Sequence, residues 1–322
     1  MKHILNYFSR WQNILALILV LLFVFVAIFA PQISPMDPDN PGFVKVVGRS
    51  SDYQPHPPSE LAPLGTQPGQ KSVFHALVWG TRGALSFGLL VAFFSAGIGI
   101  LLGALAGYAG GIINRMIMRV TDAFLAFPLI AGVVFFQQVW RNAMQNPFRL
   151  GIFYDPAKNM FVNEAFATSP FRILIENVDP LMLSFILLSW MPYARLVNAL
   201  VTEVKHTEYF HAARSVGVRP VRILFKHLLP NVVNPAIILA ARDVGSVVLL
   251  QATFTFIGLG GNSVWGQILV TGRDWVIGPY GNLMTYWWVY LPATLAVILF
   301  GITWNLFGDG LGELLDPFSR RR

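Results

Sequence analysis

The sequence predicts an all-α polytopic membrane protein with six transmembrane helices. Of its 322 residues, 55% are hydrophobic and only 12% are charged, whereas a soluble domain carries roughly 25% charged residues. Long apolar runs give the same indication, because a helix needs about 20 mostly apolar residues to cross a bilayer. A soluble globular protein and a disordered chain are both excluded, since aromatic residues also make up 14% of the sequence.

Six apolar runs are long enough to span a membrane. The first holds 17 unbroken apolar residues after a basic start at Lys2 and Arg10, and we interpret it as a retained helix. A signal peptide is the alternative, but its apolar region has only about 7–15 residues and ends in a cleavage site of small residues, which is not evident here. The predicted spans are 14–30, 84–107, 117–139, 180–200, 234–259 and 287–308.

The charge distribution predicts that both termini are cytoplasmic. Twelve Lys and Arg residues fall within the 68 residues expected inside, against nine within the 121 expected outside. Basic residues concentrate in cytoplasmic loops, so topology explains the net charge of +7, and no nucleic-acid partner is expected. The segments expected inside are 1–12, 108–119, 201–230 and 309–322.

The chain divides into three parts. Residues 1–31 are expected to form a cytoplasmic N-terminus and the first transmembrane helix, and 32–83 an irregular extracytoplasmic segment rich in proline and glycine. Residues 84–322 form a core with five transmembrane helices, and this core includes an extracytoplasmic insert at 137–178 and a cytoplasmic loop at 201–230. The absence of cysteine excludes disulfides and thiolate metal sites.

Glycines recur along one face of the second span. Gly99, Gly103 and Gly107 are four residues apart, so they share a helical face on which another backbone can approach closely. Glycine is common in membrane helices generally, but the shared register favours tight helix packing.

The cytoplasmic loop is predicted to form a helix–turn–helix at the membrane surface. Residues 203–216 include strong helix formers, Gly217 suits a chain reversal, and Pro220 suits the first turn of a second helix. That second helix has an apolar stripe and is expected to end at Pro230. Such a loop can present small and apolar residues to a partner, with its basic residues near headgroups or an acidic surface.

Short motifs in and around this loop resemble those of a permease family. The pair Ala212-Ala213, followed by Gly217 and Leu229-Pro230, is similar to the EAA loop of ATP-binding-cassette (ABC) importer permeases. The flanking motifs resemble the dipeptide/oligopeptide/nickel permeases, and their order is similar to that of the shorter, C-type subunit of the pair. They are SWMPYAR at 189–195, KHLLPN at 226–231, FIGLG at 256–260 and NLFGDGL at 305–311.

The resemblance implies the type I ABC importer permease fold, in a bacterial or archaeal cytoplasmic membrane. It implies a transport subunit, not an enzyme, that forms half of a translocation path for peptides or a related small solute such as a nickel complex. The implied partners are a second homologous permease, two cytoplasmic ATPases, an extracytoplasmic substrate-binding protein and the lipid bilayer. No cofactor is expected to bind this chain directly, because ATP is used by the partner subunits.

The same resemblance makes the 201–230 loop the segment that couples to the ATPases. The family position that is normally glutamate is His211 here, and one hypothesis is that Glu208, one turn earlier, takes over its role. The expected coupling residues are Glu208, His211, Ala212, Ala213, Gly217, Leu229 and Pro230.

Charged and polar residues inside the fifth span form a second candidate site. Charged side chains within a span are costly and usually face a bundle interior or water. One interpretation is that these residues line the translocation path or an interface with the second permease, and the other is structural pairing near the cytoplasmic half. They are Arg242, Asp243, Ser246, Gln251 and Thr253. Elsewhere, the same two interpretations apply to Asp122, with helix capping or a contact with Arg119 favoured, and Arg195 is expected to reach the cytoplasmic surface.

Two other function classes remain open. A secondary transporter or channel would work without ATPases, but it predicts inverted repeats with paired broken helices, which the sequence does not show. A membrane scaffold would use the 201–230 loop only to bind a partner. Residues 65–72 superficially resemble a phosphate-binding loop but lack its adjacent Gly-Lys, and no histidine pair has the zinc-protease spacing. Nucleotide, metal and catalytic sites are therefore not expected in this chain.

Overall fold

The computed structural model describes residues 8, 10–36, 42–145, 154–155, 160–161, 178–208, 210, 215, 223, 228–277 and 282–315. These residues are mostly α-helical, with two sheets of two short strands each. Five of the helices are long and apolar enough to cross a membrane, and a bent pair of helices makes a sixth span if it is counted as one. The predicted all-α, multi-pass architecture is therefore confirmed.

The elements follow in chain order. They are α1 (Trp11–Ile28), α2 (Ala30–Ile33), β1 (Thr66–Gln67), β2 (Lys71–Ser72), α3 (Val73–Ala109), α4 (Gly111–Ala126), α5 (Leu129–Gln145), β3 (Tyr154–Asp155), β4 (Met160–Phe161), α6 (Pro180–Ser189), α7 (Met191–Val204), α8 (Leu229–Phe256), α9 (Val264–Gly272) and α10 (Trp287–Leu315).

The start of α1 and the end of α10 lie at the same end of the helix bundle. Arg10, at the start of α1, forms an ion pair with Glu313 in the last turn of α10. The Asn13 side chain donates a hydrogen bond to the same carboxylate over 2.9 Å. This arrangement agrees with an even number of spans, because only then do the first and last helices begin and end on the same side.

Helix α3 begins well before the predicted second span. The sequence places that span at 84–107, but the helix starts at Val73, because Ser72 caps it by accepting a hydrogen bond from the backbone N–H of His75. The first turns of α3 contain a histidine and an arginine, so a search for apolar runs does not include them in the span. Val73 and Trp79 are nevertheless buried there.

The predicted third span, 117–139, is not one straight helix. Helices α4 and α5 are bent by 94° at the break between Ala126 and Leu129. Phe127 has an extended backbone (φ −79°, ψ 131°), because the residue before a proline is disfavoured in the α conformation, and Pro128 follows it.

The last three predicted spans are present in the structure, but their helices begin or end at residues other than the predicted ones. The fourth is α6 and α7 in close succession, separated only at Trp190. The fifth starts at Leu229 instead of residue 234, with Pro235 inside the helix. The sixth continues from the predicted end at residue 308 to Leu315.

The segment after α2 folds back on the ends of the helices. Strands β1 and β2 pair antiparallel, and the Gln67 side chain donates hydrogen bonds to the carbonyl oxygens of Ile268 (2.8 Å) and Val289 (3.1 Å). Ile268 lies in α9, a short helix that the sequence analysis did not predict. This anchoring fixes the segment to the bundle end opposite Arg10 and Glu313.

Helix α3 packs closely on α7 along its glycine face. A Cβ atom on Gly99 or Gly103 would lie closer than 3.0 Å to atoms of Trp190, Tyr193 or Ala194, and one on Gly107 would lie 2.9 Å from the Cβ of Val201. The tight packing predicted from the glycine register is confirmed, and it aligns α7 along the C-terminal half of α3.

Candidate functional site: the 201–230 loop and the polar face of α8

The 201–230 loop differs from the predicted helix–turn–helix in its described parts. The expected helix over 203–216 is interrupted, because α7 ends at Val204 and a turn covers 205–206. Pro230 does not end a loop helix but lies in the first turn of α8, which begins at Leu229. Glu208 is exposed. The other expected coupling residues lie outside the described residues, namely His211, Ala212, Ala213 and Gly217.

Lys205 fastens the start of the loop to the end of α3. Its Nζ donates hydrogen bonds to the carbonyl oxygens of Gly107 (3.0 Å) and Tyr108 (2.9 Å). The last carbonyl groups of a helix have no partner within the helix, and a cation is stabilised there by the helix dipole. In the sequence analysis Lys205 was only one of the twelve basic residues expected inside, because nothing near it in the chain indicates the end of α3.

The loop is also packed into the bundle through apolar side chains. Phe210, Ile223 and Leu228 are buried in a cluster that includes Ala104 of α3 and Val201 of α7. A displacement of the loop must therefore act on these two helices, since close-packed side chains transmit strain.

The polar residues of α8 have separate partners. Arg242 forms an ion pair with Asp309 of α10, and its aliphatic stem lies where a Cβ on Gly308 would clash. Asp243 faces α7 instead, where it accepts a hydrogen bond from the Tyr193 hydroxyl over 2.5 Å. The two neighbours in sequence therefore do not pair with each other, which agrees with their separation of about 100° around a helix.

The other three residues of this candidate site differ in their surroundings. Ser246 and Thr253 are exposed, and each hydroxyl donates to a carbonyl oxygen one turn earlier. The side chain of Gln251 is buried, and its Oε1 has no hydrogen-bond partner among the residues that the structure describes. A buried polar atom without a partner carries a desolvation cost, so Gln251 is a candidate contact for a ligand or a partner.

Two cavities follow the face of α8 that carries Asp243 and Gln251. The inner cavity, of about 250 Å³, lies between α8, α6 and the bend of α4 and α5, and Asp243 and Ser246 line it. The outer cavity, of about 210 Å³, is lined by Gln251 and by Asp179, the residue that caps α6. Burial raises the pKa of the Asp179 carboxyl. Both cavities are lined by acceptors and by no basic side chain.

A second ion pair links α4 to α7. Arg195 lies 3.7 Å from Asp122, measured between a guanidinium nitrogen and a carboxylate oxygen. Among the described residues Asp122 forms an ion pair with Arg195 and none with Arg119, and it caps no helix, because it lies inside α4. The side chain of Arg195 is 66% exposed, which agrees with the expectation that it reaches a surface.

Removing one member of the Arg242–Asp309 pair should destabilise the membrane fold more than removing both. The two side chains are about half exposed, 47% for Arg242 and 58% for Asp309, so we expect Arg242→Met and Asp309→Leu each to lower stability by roughly 1 kcal/mol. The double variant should regain most of the loss, because it leaves no unpaired charge. Thermal unfolding of the purified protein measures this cycle, and losses that simply add would contradict the pairing.

Comparison with known proteins places these features in context. Residues 99–321 match the family model described as "Binding-protein-dependent transport system inner membrane component". The glutathione transport system permease protein GsiD of Pectobacterium atrosepticum is 29% identical over 92% of this chain and 84% of the relative. The di/tripeptide transport system permease protein DppC of Pseudomonas aeruginosa is 29% identical (94% and 86%). The dipeptide transport system permease protein DppC of Alkalihalophilus pseudofirmus is 28% identical (94% and 85%).

Proposed function

The chain belongs to the family of binding-protein-dependent transport system inner membrane components, and from this premise we propose how it transports and what it carries. It is a multi-pass permease subunit of an ABC importer, not an enzyme. We propose that it forms half of a translocation path with a second homologous permease. Two cytoplasmic ATPases would drive the path, and an extracytoplasmic binding protein would deliver the substrate.

The proposed substrates are short peptides. The support is that the relatives above are named for dipeptide, di/tripeptide and glutathione transport. Those relatives are matched over most of their length, so the similarity includes the membrane core as well as the loop. Mass spectrometry of the ligand trapped by the cognate binding protein tests this class, and a non-peptide ligand such as a free metal complex would contradict it.

We propose that the 201–230 loop couples the permease to the ATPases. This requires the loop to face the cytoplasm, as it does if both termini are cytoplasmic. The observation that carries this proposal is the double attachment of the loop, through Lys205 to the end of α3 and through Phe210, Ile223 and Leu228 to the cluster beside α7. A push by an ATPase on the loop would be passed to both helices. The proposed cycle is alternating access, in which ATP-driven closure of the ATPases switches the helices from inward-open to outward-open.

Co-purification tests this assignment. We expect the full chain, expressed with its partner permease and ATPases, to retain the ATPases, and a variant in which residues 211–217 are replaced by glycine and serine to lose them. The replacement spares the buried Phe210, Ile223 and Leu228, so the partner permease should stay bound. Retention of the ATPases by this variant would contradict the loop assignment.

The same purified proteins distinguish an ABC importer subunit from a secondary transporter. A secondary transporter would move solute when this chain is reconstituted without ATPases, whereas an importer subunit would not. Within the described residues, α4 and α5 form the one helix pair bent at a short break. Paired broken helices of the kind that inverted repeats produce are not seen in that part of the chain.

A further inference from the structure

Asp243 is a carboxylate within a membrane span that has no cationic partner in the described part of the chain. One of its oxygens accepts the hydrogen bond from the Tyr193 hydroxyl. Arg242, its neighbour in sequence, is paired with Asp309 on another helix. Ionisable residues inside a span almost always pair or face a water-filled cavity, so Asp243 needs either a partner or a cavity.

The basic residue of α7 also has an acidic partner elsewhere. Arg195 lies two residues beyond Tyr193 and is paired with Asp122 of α4. The basic residues next in sequence to Asp243 and Tyr193 are therefore both paired with other acids. The carboxylate is left with a neutral hydroxyl as its donor, and a neutral donor is weaker than a cationic one.

Asp243 lines the inner cavity, which is otherwise mostly apolar. The cavity holds about 250 Å³, and its polar side chains are Asp243, Ser189 and Ser246. No lysine, arginine or histidine lines it. Aromatic residues at the bend of α4 and α5, including Phe124 and Phe127, form much of its wall. A half-buried carboxylate with aromatic walls is the chemistry that binds a small organic cation.

We propose that Asp243 binds the protonated primary amino group of a transported substrate, such as the N-terminal ammonium of a short peptide, within the inner cavity. The proposal rests on the proposed transport function and names the substrate group that the path recognises. The ammonium would donate to the carboxylate oxygen that Tyr193 leaves free, and Tyr193 would hold the carboxylate in place. The small volume restricts the cavity to the amino end of the substrate.

The outer cavity gives this site an approach from the other end of α8. Gln251 lies eight residues after Asp243 on the same helical face, about 12 Å along the axis at ~1.5 Å per residue. Its Oε1 is an acceptor without a partner in the described residues, and Asp179 lines the same cavity. An ammonium group entering from the side of β1 and β2 would therefore meet acceptors first at Gln251 and then at Asp243.

Equilibrium binding to the complete complex tests the proposal. The complex of this chain, its partner permease and the ATPases is placed in nanodiscs of phosphatidylglycerol, whose headgroup carries no cationic group, so a lipid headgroup cannot occupy the site. Radiolabelled L-alanyl-L-alanine and its N-acetyl analogue are the probes. We expect the free dipeptide to bind and the N-acetyl analogue not to bind, because acetylation removes the charge.

The variants separate the charge of Asp243 from its packing. Asp243→Asn should weaken dipeptide binding at least about tenfold, the loss of a charge-assisted hydrogen bond, while Asp243→Glu should stay within about threefold because it keeps the charge. Glu313→Gln, the same type of change at the end of α10 away from the cavity, is the matched control and should bind like the wild type. Thermal unfolding of each complex checks that it is folded.

Several results would overturn the ammonium site. They are equal binding of the N-acetyl analogue, wild-type affinity in Asp243→Asn, or no dipeptide binding by the wild-type complex. Loss of the partner permease from the Asp243→Asn complex would instead show that a cation of that subunit is the true partner. Failure of the proposed transport function is seen separately, as absence of ATP hydrolysis stimulated by the binding protein in the wild-type complex.

Discussion

Replacing Gly103 with leucine is expected to prevent α3 and α7 from packing and to remove most of the folded protein from the membrane. A Cβ on Gly103 would already lie closer than 3.0 Å to the backbone of Ala194, and a backbone cannot turn aside as a long side chain can. Overpacking of this kind costs typically 1–3 kcal/mol and occasionally more, and the leucine adds three further carbons. Because the clash is with backbone, we expect a loss above this range, large enough to exceed the lower end of a total stability of about 5–15 kcal/mol.

The same helix offers a matched control for Gly103→Leu. Gly97 has nothing within 4 Å of the position that a Cβ would take, so Gly97→Leu should insert normally. It could even raise stability slightly, since glycine is about 1 kcal/mol less favourable than alanine in a helix. The amount of inserted protein and the midpoint of thermal unfolding measure both variants. Similar behaviour of the two leucine variants would contradict the close approach of α7.

The glycine face could be predicted because its signal is local. Gly99, Gly103 and Gly107 repeat with the period of one helix, so the sequence alone indicates which face another backbone approaches. The partner could not be predicted, since it is the stretch from Trp190 to Val201, about 90 residues later in the chain. The six apolar runs were predictable for the same local reason, because each span must satisfy its own length and hydropathy.

The features that sequence analysis missed depend on contacts between distant segments. Lys205 caps a helix that ends almost 100 residues earlier. Arg242 forms its ion pair with Asp309 and not with its neighbour Asp243. Nothing in the spacing of these residues selects the pairs, because the helix packing decides which charges meet. The bend at Pro128 is a different case, because its cause is local: the residue before a proline is disfavoured in the α conformation. The apolar run continues on both sides of Pro128, and for that reason it was interpreted as a single straight span.

Substituting proline for Gly217 is expected to abolish transport-coupled ATP hydrolysis while leaving membrane insertion intact. Gly217 is the residue at which the sequence predicts the chain to reverse, and a left-handed conformation there suits glycine. Proline fixes φ near −65° and removes the backbone donor, so the reversal and the surface it presents would be lost. The spans are unaffected, because their apolar runs lie elsewhere. ATP hydrolysis stimulated by the binding protein, measured in proteoliposomes, is the readout.

Gly217→Ala tests whether coupling depends on the left-handed backbone conformation at this position or only on an intact loop. Alanine tolerates the left-handed conformation at a cost of roughly 1–2 kcal/mol, so this variant should couple only partly, whereas proline should not couple at all. Both variants should still hold the partner permease, because the buried Phe210, Ile223 and Leu228 and the Lys205 attachment are unchanged. Normal stimulated hydrolysis in Gly217→Pro would refute the coupling role of the 201–230 loop. In that case the drive would have to reach α3 and α7 through another contact, even though this loop is attached to both helices.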